Sequence, residues 1–366
     1  MTTPTLPNTR LWSDKAKSLS PYVPGEQPKH ANLCKLNTNE NPFAPSPKAI
    51  AAMRAVLDDE AVLRLYPEPE SDALRQALAD FHGLDIDEVF VGNGSDEVLA
   101  LVFASFFLKP QPLLTPDIGY SFYPVYADTF GVELQKIPLN ADFCIDINDY
   151  QAPCGGIIIA NPNAPTGVLL SLADIETLAR RHSDSVVVID EAYIDYADDV
   201  AAASAVSLIR KYDNLVVTQT FSKSRALAGL RVGMAFANPS LIAALSAMKN
   251  SFNSYPLDRV AQAGAAASIA DGEYFEQKRL EVIALRAALV NDLNELGFKV
   301  LPSSANFVFA APNHHTLSAK DVFEKLREQG VIVRHWQKER ISEYLRITVG
   351  TAEQNARLIQ VLTQIL

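Results

Sequence analysis

A lysine, an acid, a phenol and a guanidinium that could serve one reaction follow two short apolar runs of the sequence. Asp190 and Tyr193 come after one run, and Lys223 and Arg231 come after another. An amine in a desolvated pocket can form a Schiff base with a carbonyl compound. Taken singly, Lys223 is most simply a surface lysine with its head in water, and Asp190 a carboxylate held by backbone N–H groups. Their common position after apolar runs favours one shared site.

A possible anion-binding loop precedes the longest apolar segment. Its sequence runs from Gly92 to Glu97, and Ser95 or Asp96 can cap the helix that follows. The N-terminus of a helix binds anions readily, although a simply capped helix is the plainer interpretation of this loop alone. Glu97 replaces the third glycine of a dinucleotide fingerprint, and no Gly-x-x-x-x-Gly-Lys-Ser/Thr motif occurs. Nicotinamide and nucleoside triphosphate sites are therefore disfavoured.

These loops together match what pyridoxal phosphate requires of a protein. An acid keeps the pyridine nitrogen protonated, an amine holds the carbonyl carbon, and a phenol can bond the ring hydroxyl. Ser95, Ser222 and Arg231 would then hold the phosphate. The sequence therefore predicts a pyridoxal phosphate site.

The elements that must position this site form an α/β pattern. Six apolar runs predict buried strands, at residues 88–91, 112–115, 156–160, 185–189, 214–218 and 232–236. Since these runs are continuous rather than alternating, both faces of the sheet should be covered by helices, as in a mostly parallel sheet. In such sheets the ligand lies at the carboxyl ends of the strands, which is where the candidate residues stand.

The chain of 366 residues is long enough for two lobes. A proline-rich arm, residues 1–60, contains one predicted helix and should pack on the small domain or on a partner subunit. We predict a large cofactor-binding domain over 61–255, a linking helix over 256–295 and a small α+β domain over 296–366.

The composition excludes several classes of protein. Forty-three acidic against 32 basic residues give a net charge of −11, which argues against nucleic acid or anionic lipid as a partner. Three cysteines without a C-x-x-C pair fit a reducing compartment. The N-terminal segment has no apolar core typical of a secretory signal, and the run 98–108 is too short to cross a bilayer. We therefore expect a cytoplasmic protein. The adjacent histidines 314 and 315 lack a carboxylate at ligand spacing, so no metal site is predicted.

The motifs resemble one known family over nearly the whole length. They begin with Leu-Asn-Thr-Asn-Glu-Asn-Pro at 36–42 and Tyr-Pro-Glu-Pro at 66–69, and end with Leu-Arg-Ile-Thr-Val-Gly at 345–350. In number, order and spacing they resemble the fold-type I, class II aminotransferases, and within these the histidinol-phosphate aminotransferase family.

The resemblance implies a role for each position around pyridoxal phosphate. Lys223 would be the Schiff-base lysine, Asp190 the partner of the pyridine nitrogen, Tyr193 the partner of the ring hydroxyl, Tyr120 the stacking ring, and Ser95, Asp96, Ser222 and Arg231 the phosphate ligands. Where many relatives have an asparagine that touches the ring hydroxyl, this chain has Ala164. Either Asn163 reaches in from the preceding position or Tyr193 acts alone.

The resemblance also implies which residues bind the substrate and how the subunits assemble. Arg334 and Arg346 would hold the anionic end of the substrate, with Tyr22 closing over it, and Asn39 would also bind the substrate. Two guanidiniums on neighbouring strands would repel each other unless an anion lies between them. Tyr66 would reach across a homodimer to the partner's cofactor phosphate.

The expected reaction is amino transfer between L-histidinol phosphate and 2-oxoglutarate, in histidine biosynthesis. An aromatic amino acid aminotransferase is the first alternative, because the same arginines could hold a carboxylate. A decarboxylase of a phosphorylated amino acid and a binding protein that kept the fold without the chemistry are further alternatives. The joint presence of lysine, acid, tyrosine and arginine argues against the binding protein.

Overall fold

The computed structural model describes residues 9–22, 25–27 and 32–366. Its α-helices are α1 Asp14–Ser18, α2 Pro47–Asp58, α3 Asp72–His82, α4 Gly94–Phe106, α5 Tyr123–Phe130, α6 Leu172–Arg181, α7 Val200–Ala203, α8 Pro239–Phe252, α9 Arg259–Ala270, α10 Gly272–Glu295, α11 Ala319–Glu328 and α12 Ala352–Ile365. Its strands are β1 Cys34–Lys35, β2 Val89–Asn93, β3 Leu113–Pro116, β4 Leu134–Ile137, β5 Gly156–Ala160, β6 Val187–Asp190, β7 Leu215–Thr220, β8 Val232–Ala237, β9 Lys299–Val300, β10 Phe307–Ala311, β11 Val331–Ile332, β12 Arg334–His335 and β13 Leu345–Thr348.

A seven-stranded sheet forms the large part of the molecule, in the order β2-β8-β7-β6-β5-β3-β4. The strands from β7 to β4 are parallel, and β8 runs antiparallel to both of its neighbours. This confirms the predicted α/β class with a mostly parallel sheet. Each of the six predicted runs forms a strand, while β4 was not predicted. Exposed Gln135 and Lys136 interrupt its apolar pattern, as expected for an edge strand.

The two faces of this sheet are buried against different helices. In β6, Val187 and Ile189 pack into a core that includes residues of α3, α6 and α9. The intervening Val188 packs on the opposite face with residues of α4, α5 and α8. Because successive side chains of a strand point to opposite faces, two covered faces require an uninterrupted apolar run.

A smaller antiparallel sheet follows, in the order β12-β13-β10-β9. It shares a core with residues of α10, α11 and α12. The arm joins this part of the molecule through β1, which pairs in parallel with β11, whereas α2 packs on α9. The segment predicted as one linking helix forms α9 and α10 instead. Asp271 separates them and accepts a hydrogen bond from Ser46 Oγ.

No helix in the described part of the chain is both long enough and apolar enough to cross a bilayer. No cluster of three or more histidine, cysteine, aspartate or glutamate side chains is arranged there to hold a metal ion.

Candidate active site

A cavity of about 890 Å³ lies between the two sheets. The last residues of four parallel strands line it: Pro116 of β3, Ala160 of β5, Asp190 of β6 and Thr220 of β7. The cavity therefore lies where the strand-end rule predicts a ligand site. Twelve of the residues predicted from the sequence line this cavity: Tyr22, Asn39, Ser95, Asp96, Tyr120, Asp190, Tyr193, Ser222, Lys223, Arg231, Arg334 and Arg346.

Asp190 is a buried carboxylate, 5% exposed, that faces the cavity. Its Oδ2 accepts a hydrogen bond of 2.8 Å from the Tyr123 hydroxyl, and its Oδ1 one of 3.2 Å from Thr218 Oγ1. Burial raises the pKa of this carboxyl to about 6, although the two hydroxyl donors oppose the shift. No ion pair neutralises Asp190 within the described part of the chain. A positively charged group in the cavity would stabilise its ionised form.

Lys223 lies three residues beyond the end of β7 and is half-buried. Its Nζ donates to the backbone oxygen of Thr38 at 3.3 Å and lies 5.6 Å from the centroid of the Tyr193 ring. The Tyr193 hydroxyl accepts a hydrogen bond of 2.9 Å from Asn39 Nδ2. The arm thus contributes directly to the surroundings of both the amine and the phenol.

Arg231, which the sequence predicts to bind a phosphate, is held beside the start of α4. Arg231 Nη2 donates to Asp96 Oδ2 at 2.8 Å, and the Tyr120 hydroxyl donates to Asp96 Oδ1 at 3.3 Å. A Cβ placed on Gly94 would stand 2.6 Å from Arg231 Nη2, and one on Gly233 would stand 2.4 Å from the Gly94 carbonyl carbon. Both glycines therefore permit a close approach of the guanidinium and the helix N-terminus.

The other wall of the cavity carries the two predicted substrate arginines. Arg334 of β12 and Arg346 of β13 are direct cross-strand partners, so their side chains lie on one face of the small sheet. Arg346 Nη2 donates to the Asn37 backbone oxygen at 2.9 Å, while its buried Nε has no partner among the described residues. Burial lowers the pKa of Arg346, and the charge of Arg334 lowers it further. An anion between the two guanidiniums would relieve both effects.

Comparison with known proteins agrees with this geometry. The family model "Aminotransferase class I and II" matches residues 31–362. A relative from Psychrobacter arcticus, "Histidinol-phosphate aminotransferase 2", is 67% identical over 97% of this chain and 95% of its own length. A histidinol-phosphate aminotransferase of Acinetobacter baumannii (strain SDF) is 60% identical over 97% of each chain. The chain belongs to the histidinol-phosphate aminotransferase family.

Solved structures show the same aminotransferase fold. The histidinol-phosphate aminotransferase of Sinorhizobium meliloti, in complex with pyridoxal-5'-phosphate, superposes with a TM-score of 0.85 at 23% identity and covers 98% of this chain and 99% of its own. A Thermus thermophilus aspartate aminotransferase mutant reaches 0.79 at 20% identity, covering 98% of this chain and 100% of its own. At these identities the likeness establishes the fold, and the substrate must be argued from the site.

Two predicted site residues of this aminotransferase lie outside the cavity lining. Asn163 Nδ2 donates to the Ile118 backbone oxygen and to Thr166 Oγ1, each at 3.0 Å. Its buried Oδ1 has no hydrogen-bond partner among the described residues, and the neighbouring Ala164 lines the cavity, so a contact of Asn163 with the cofactor stays a prediction. Tyr66 is 77% exposed and stacks on Tyr255 with ring centroids 4.8 Å apart.

Several residues around the cavity of this aminotransferase were not predicted from the sequence. Tyr123 and Thr218 donate hydrogen bonds to Asp190, and Trp336 and Arg340 line the cavity. Tyr123 ends the same motif that contains Tyr120, which was a usable signal. The other three offered no local pattern, because their partners are distant in sequence.

Proposed function

We propose that this aminotransferase transfers an amino group between L-histidinol phosphate and 2-oxoglutarate, with pyridoxal phosphate as its cofactor. The observation that carries the proposal is the composition of one cavity. The cavity is lined both by Lys223 and the buried Asp190 and by two arginines, Arg334 and Arg346. No carboxylate of the described residues forms an ion pair with either arginine. The names of relatives up to 67% identical over nearly the full chain support the same substrate.

The residues present fit pyridoxal phosphate. Asp190 is buried with hydroxyl donors and no paired cation among the described residues, and the protonated nitrogen of a pyridine ring would supply that cation. Gly94 and Gly233 lack a Cβ, so the groups that would bind the phosphate can lie close together beside the start of α4. Arg231, Ser95 and Ser222 would hold the phosphate there, and Asp96 would orient Arg231.

When bound, pyridoxal phosphate supplies a ring that accepts the electron pair left behind as the substrate Cα loses its proton. Lys223 would hold the carbonyl carbon and, once displaced by the substrate amine, would carry the proton from Cα. Its Nζ needs to be neutral for that transfer, and the Tyr193 ring and the Thr38 carbonyl fix its position. Asp190, held rigidly by Tyr123 and Thr218, would keep the ring nitrogen protonated.

Arg334 and Arg346 would bind the anionic end of either substrate. A phosphate monoester brings up to two negative charges and can accept hydrogen bonds from both guanidiniums. A carboxylate brings one charge, so the pair favours the phosphate ester over phenylalanine or tyrosine. The same pair keeps the aromatic aminotransferase as the second candidate, since a carboxylate can also bind there.

The test is a substrate panel on the purified holoenzyme. L-histidinol phosphate, phenylalanine and tyrosine would be compared as amino donors to 2-oxoglutarate. Release of carbon dioxide from a phosphorylated amino acid would be monitored separately to detect decarboxylation. We expect the highest kcat/KM for L-histidinol phosphate and a visible chromophore that borohydride fixes to Lys223. A higher kcat/KM for phenylalanine would transfer the proposal to the aromatic aminotransferases, and labelling of another lysine would contradict the assigned attachment.

A further inference from the structure

The two substrate arginines are held together without an acidic partner. Arg334 and Arg346 stand directly opposite each other on β12 and β13. Within the described residues no carboxylate forms an ion pair with either of them. Two like charges on one face of a sheet destabilise each other, so another group must offset their repulsion.

The ring of Trp336 lies close enough to both guanidiniums to offset their repulsion. Trp336 stands two residues after Arg334, and this spacing places side chains on one face of an extended chain. The Arg334 guanidinium carbon lies 5.3 Å from the centroid of the Trp336 ring, and that of Arg346 lies 5.2 Å from it. Both distances fall within the range of a cation–π interaction, for which tryptophan is the strongest partner. Trp336 also lines the cavity.

An aromatic ring differs from a carboxylate in its effect on the bound cation. A carboxylate would fix the guanidiniums but would also neutralise them and occupy their N–H donors. The ring face orients the cation through its quadrupole and leaves the in-plane N–H groups free for an anion. Arg346 has a second ring, Phe307, at 5.4 Å, whereas Arg334 has only Trp336 among the ring contacts of the described residues.

We propose that Trp336 is a positioning residue that holds Arg334, and to a lesser degree Arg346, in place for the anionic group of the substrate without neutralising them. The inference rests on the proposed function, since it assigns the arginines to the substrate's phosphate. Trp336 makes the site selective for anions through the arginines and takes no part in proton transfer.

The experiment measures inorganic phosphate as a competitive inhibitor of the holoenzyme, with whichever amino donor the wild-type protein accepts. We expect Trp336→Leu to raise the inhibition constant about tenfold and Trp336→Phe about threefold, in the order of their cation–π strength. The KM for L-histidinol phosphate should rise in parallel, with kcat within about twofold of wild type. Trp12→Phe, a change at the exposed arm tryptophan, is the matched control and should leave both values unchanged.

A double-mutant cycle separates positioning from general structural support. In an Arg334→Ala background, Trp336→Leu should change the inhibition constant less than about twofold, because the residue it positions is gone. The full tenfold effect in that background would overturn the proposal, as would equal losses in Trp336→Leu and Trp336→Phe.

Folding and substrate identity are checked separately. The Trp12→Phe variant retains Trp336 as its single tryptophan, and phosphate should change its fluorescence. An unchanged emission at saturating phosphate would contradict the proposal even if Trp336→Leu does not fold. Failure of the proposed function would appear in the substrate panel instead, as poor turnover of L-histidinol phosphate, while the phosphate measurement would still test Trp336.

Discussion

Two neighbouring carboxyl groups at the end of β6 have different surroundings. Asp190 faces the cavity, while Glu191 is buried away from it and binds three donors of the protein. Glu191 accepts hydrogen bonds from Ser204 Oγ, the Ala205 backbone N–H and Gln219 Nε2. Burial nevertheless raises the pKa of Glu191 to about 7. A charge there is costly, and no cofactor would relieve it.

Glu191→Gln should therefore change how stability depends on pH. A carboxyl group whose pKa is raised by folding binds its proton more tightly in the folded state than in the unfolded state. Its stabilising contribution to the free energy of unfolding is therefore present at low pH and is lost as pH rises from about 4.5 to about 7. The glutamine variant lacks this loss. We expect its free energy of unfolding, relative to wild type, to rise by about 1–3 kcal/mol between pH 5 and pH 8. Urea unfolding at the two pH values measures it, and parallel stability curves for the two proteins would disprove it.

Arg334→Ala should discriminate between substrates. A charge-assisted hydrogen bond is worth about 1.5–3 kcal/mol, so kcat/KM for L-histidinol phosphate should fall roughly ten- to a hundred-fold. The loss for phenylalanine should be clearly smaller, because Arg346 can hold a single carboxylate by itself. Steady-state kinetics on both substrates provide the comparison. Equal losses of kcat/KM on the two substrates would show that Arg334 does not bind the phosphate group selectively.

At the scale of elements, the segment that follows β12 joins the two sheets across the cavity mouth. Arg340 in this segment donates to Asp117 Oδ2 at 3.1 Å, just beyond β3. It also donates to the backbone oxygens of Leu139 and Asn140, at 2.8 and 2.7 Å, just beyond β4. Arg340 has a φ of 67°, a conformation that costs energy in a residue with a Cβ. These contacts fix the segment that carries Trp336.

Arg340→Ala should loosen this segment without unfolding the protein. The apolar contacts of Ile341 and Tyr344 with the large domain remain. Loss of about 1.5 kcal/mol of local hydrogen bonding should speed tryptic cleavage after Lys338 about tenfold. Limited proteolysis followed by mass spectrometry measures the rate. Asp117→Asn, which keeps an acceptor oxygen, should show a smaller increase. An unchanged rate in Arg340→Ala would exclude a role of Arg340 in holding this segment in place.

At the scale of the whole molecule, the segment that carries Tyr66 is firmly attached although Tyr66 itself is exposed. Lys249 of α8 donates to the Pro69 backbone oxygen at 2.9 Å, and Arg259 of α9 donates to the Tyr66 backbone oxygen at 2.5 Å. Leu63 and Leu65, beside it in sequence, are also exposed. A rigid, apolar, exposed segment is typical of a subunit interface. We therefore propose a homodimer in which Tyr66 completes the partner's site.

Complementation between subunits tests this assembly. Tyr66→Ala and Lys223→Ala homodimers should each have little activity. In a hybrid dimer, the chain with Lys223 intact would receive Tyr66 from its partner, so one site would be complete. Unfolding and refolding the two variants together should restore about a quarter of wild-type activity by random pairing. No recovery on mixing, or a fully active monomer in sedimentation, would rule out the shared site.

The sequence alone predicted six of the seven strands of the large sheet and placed the candidate residues after their carboxyl ends. Runs such as 185–189 predict buried strands because both faces are covered, and parallel strands bring their carboxyl ends to one edge. Asp190 and Lys223 therefore line one cavity, whose place is set by local pattern and strand direction. The edge strand β4 escaped notice because solvent on one side removes the apolar signal.

Only the tertiary structure decided which groups surround that centre. Tyr123 reaches Asp190 from 67 positions away, and Trp336 lies over Arg346 on the next strand. Asn163 directly precedes Ala164, which lines the cavity, yet its own Nδ2 donates to Ile118 and Thr166. Local sequence determines strand and helix periodicity, but the direction of a side chain depends on the rotamer that packing permits. Contacts between distant segments form only when the sheets have assembled, so no local pattern contains them.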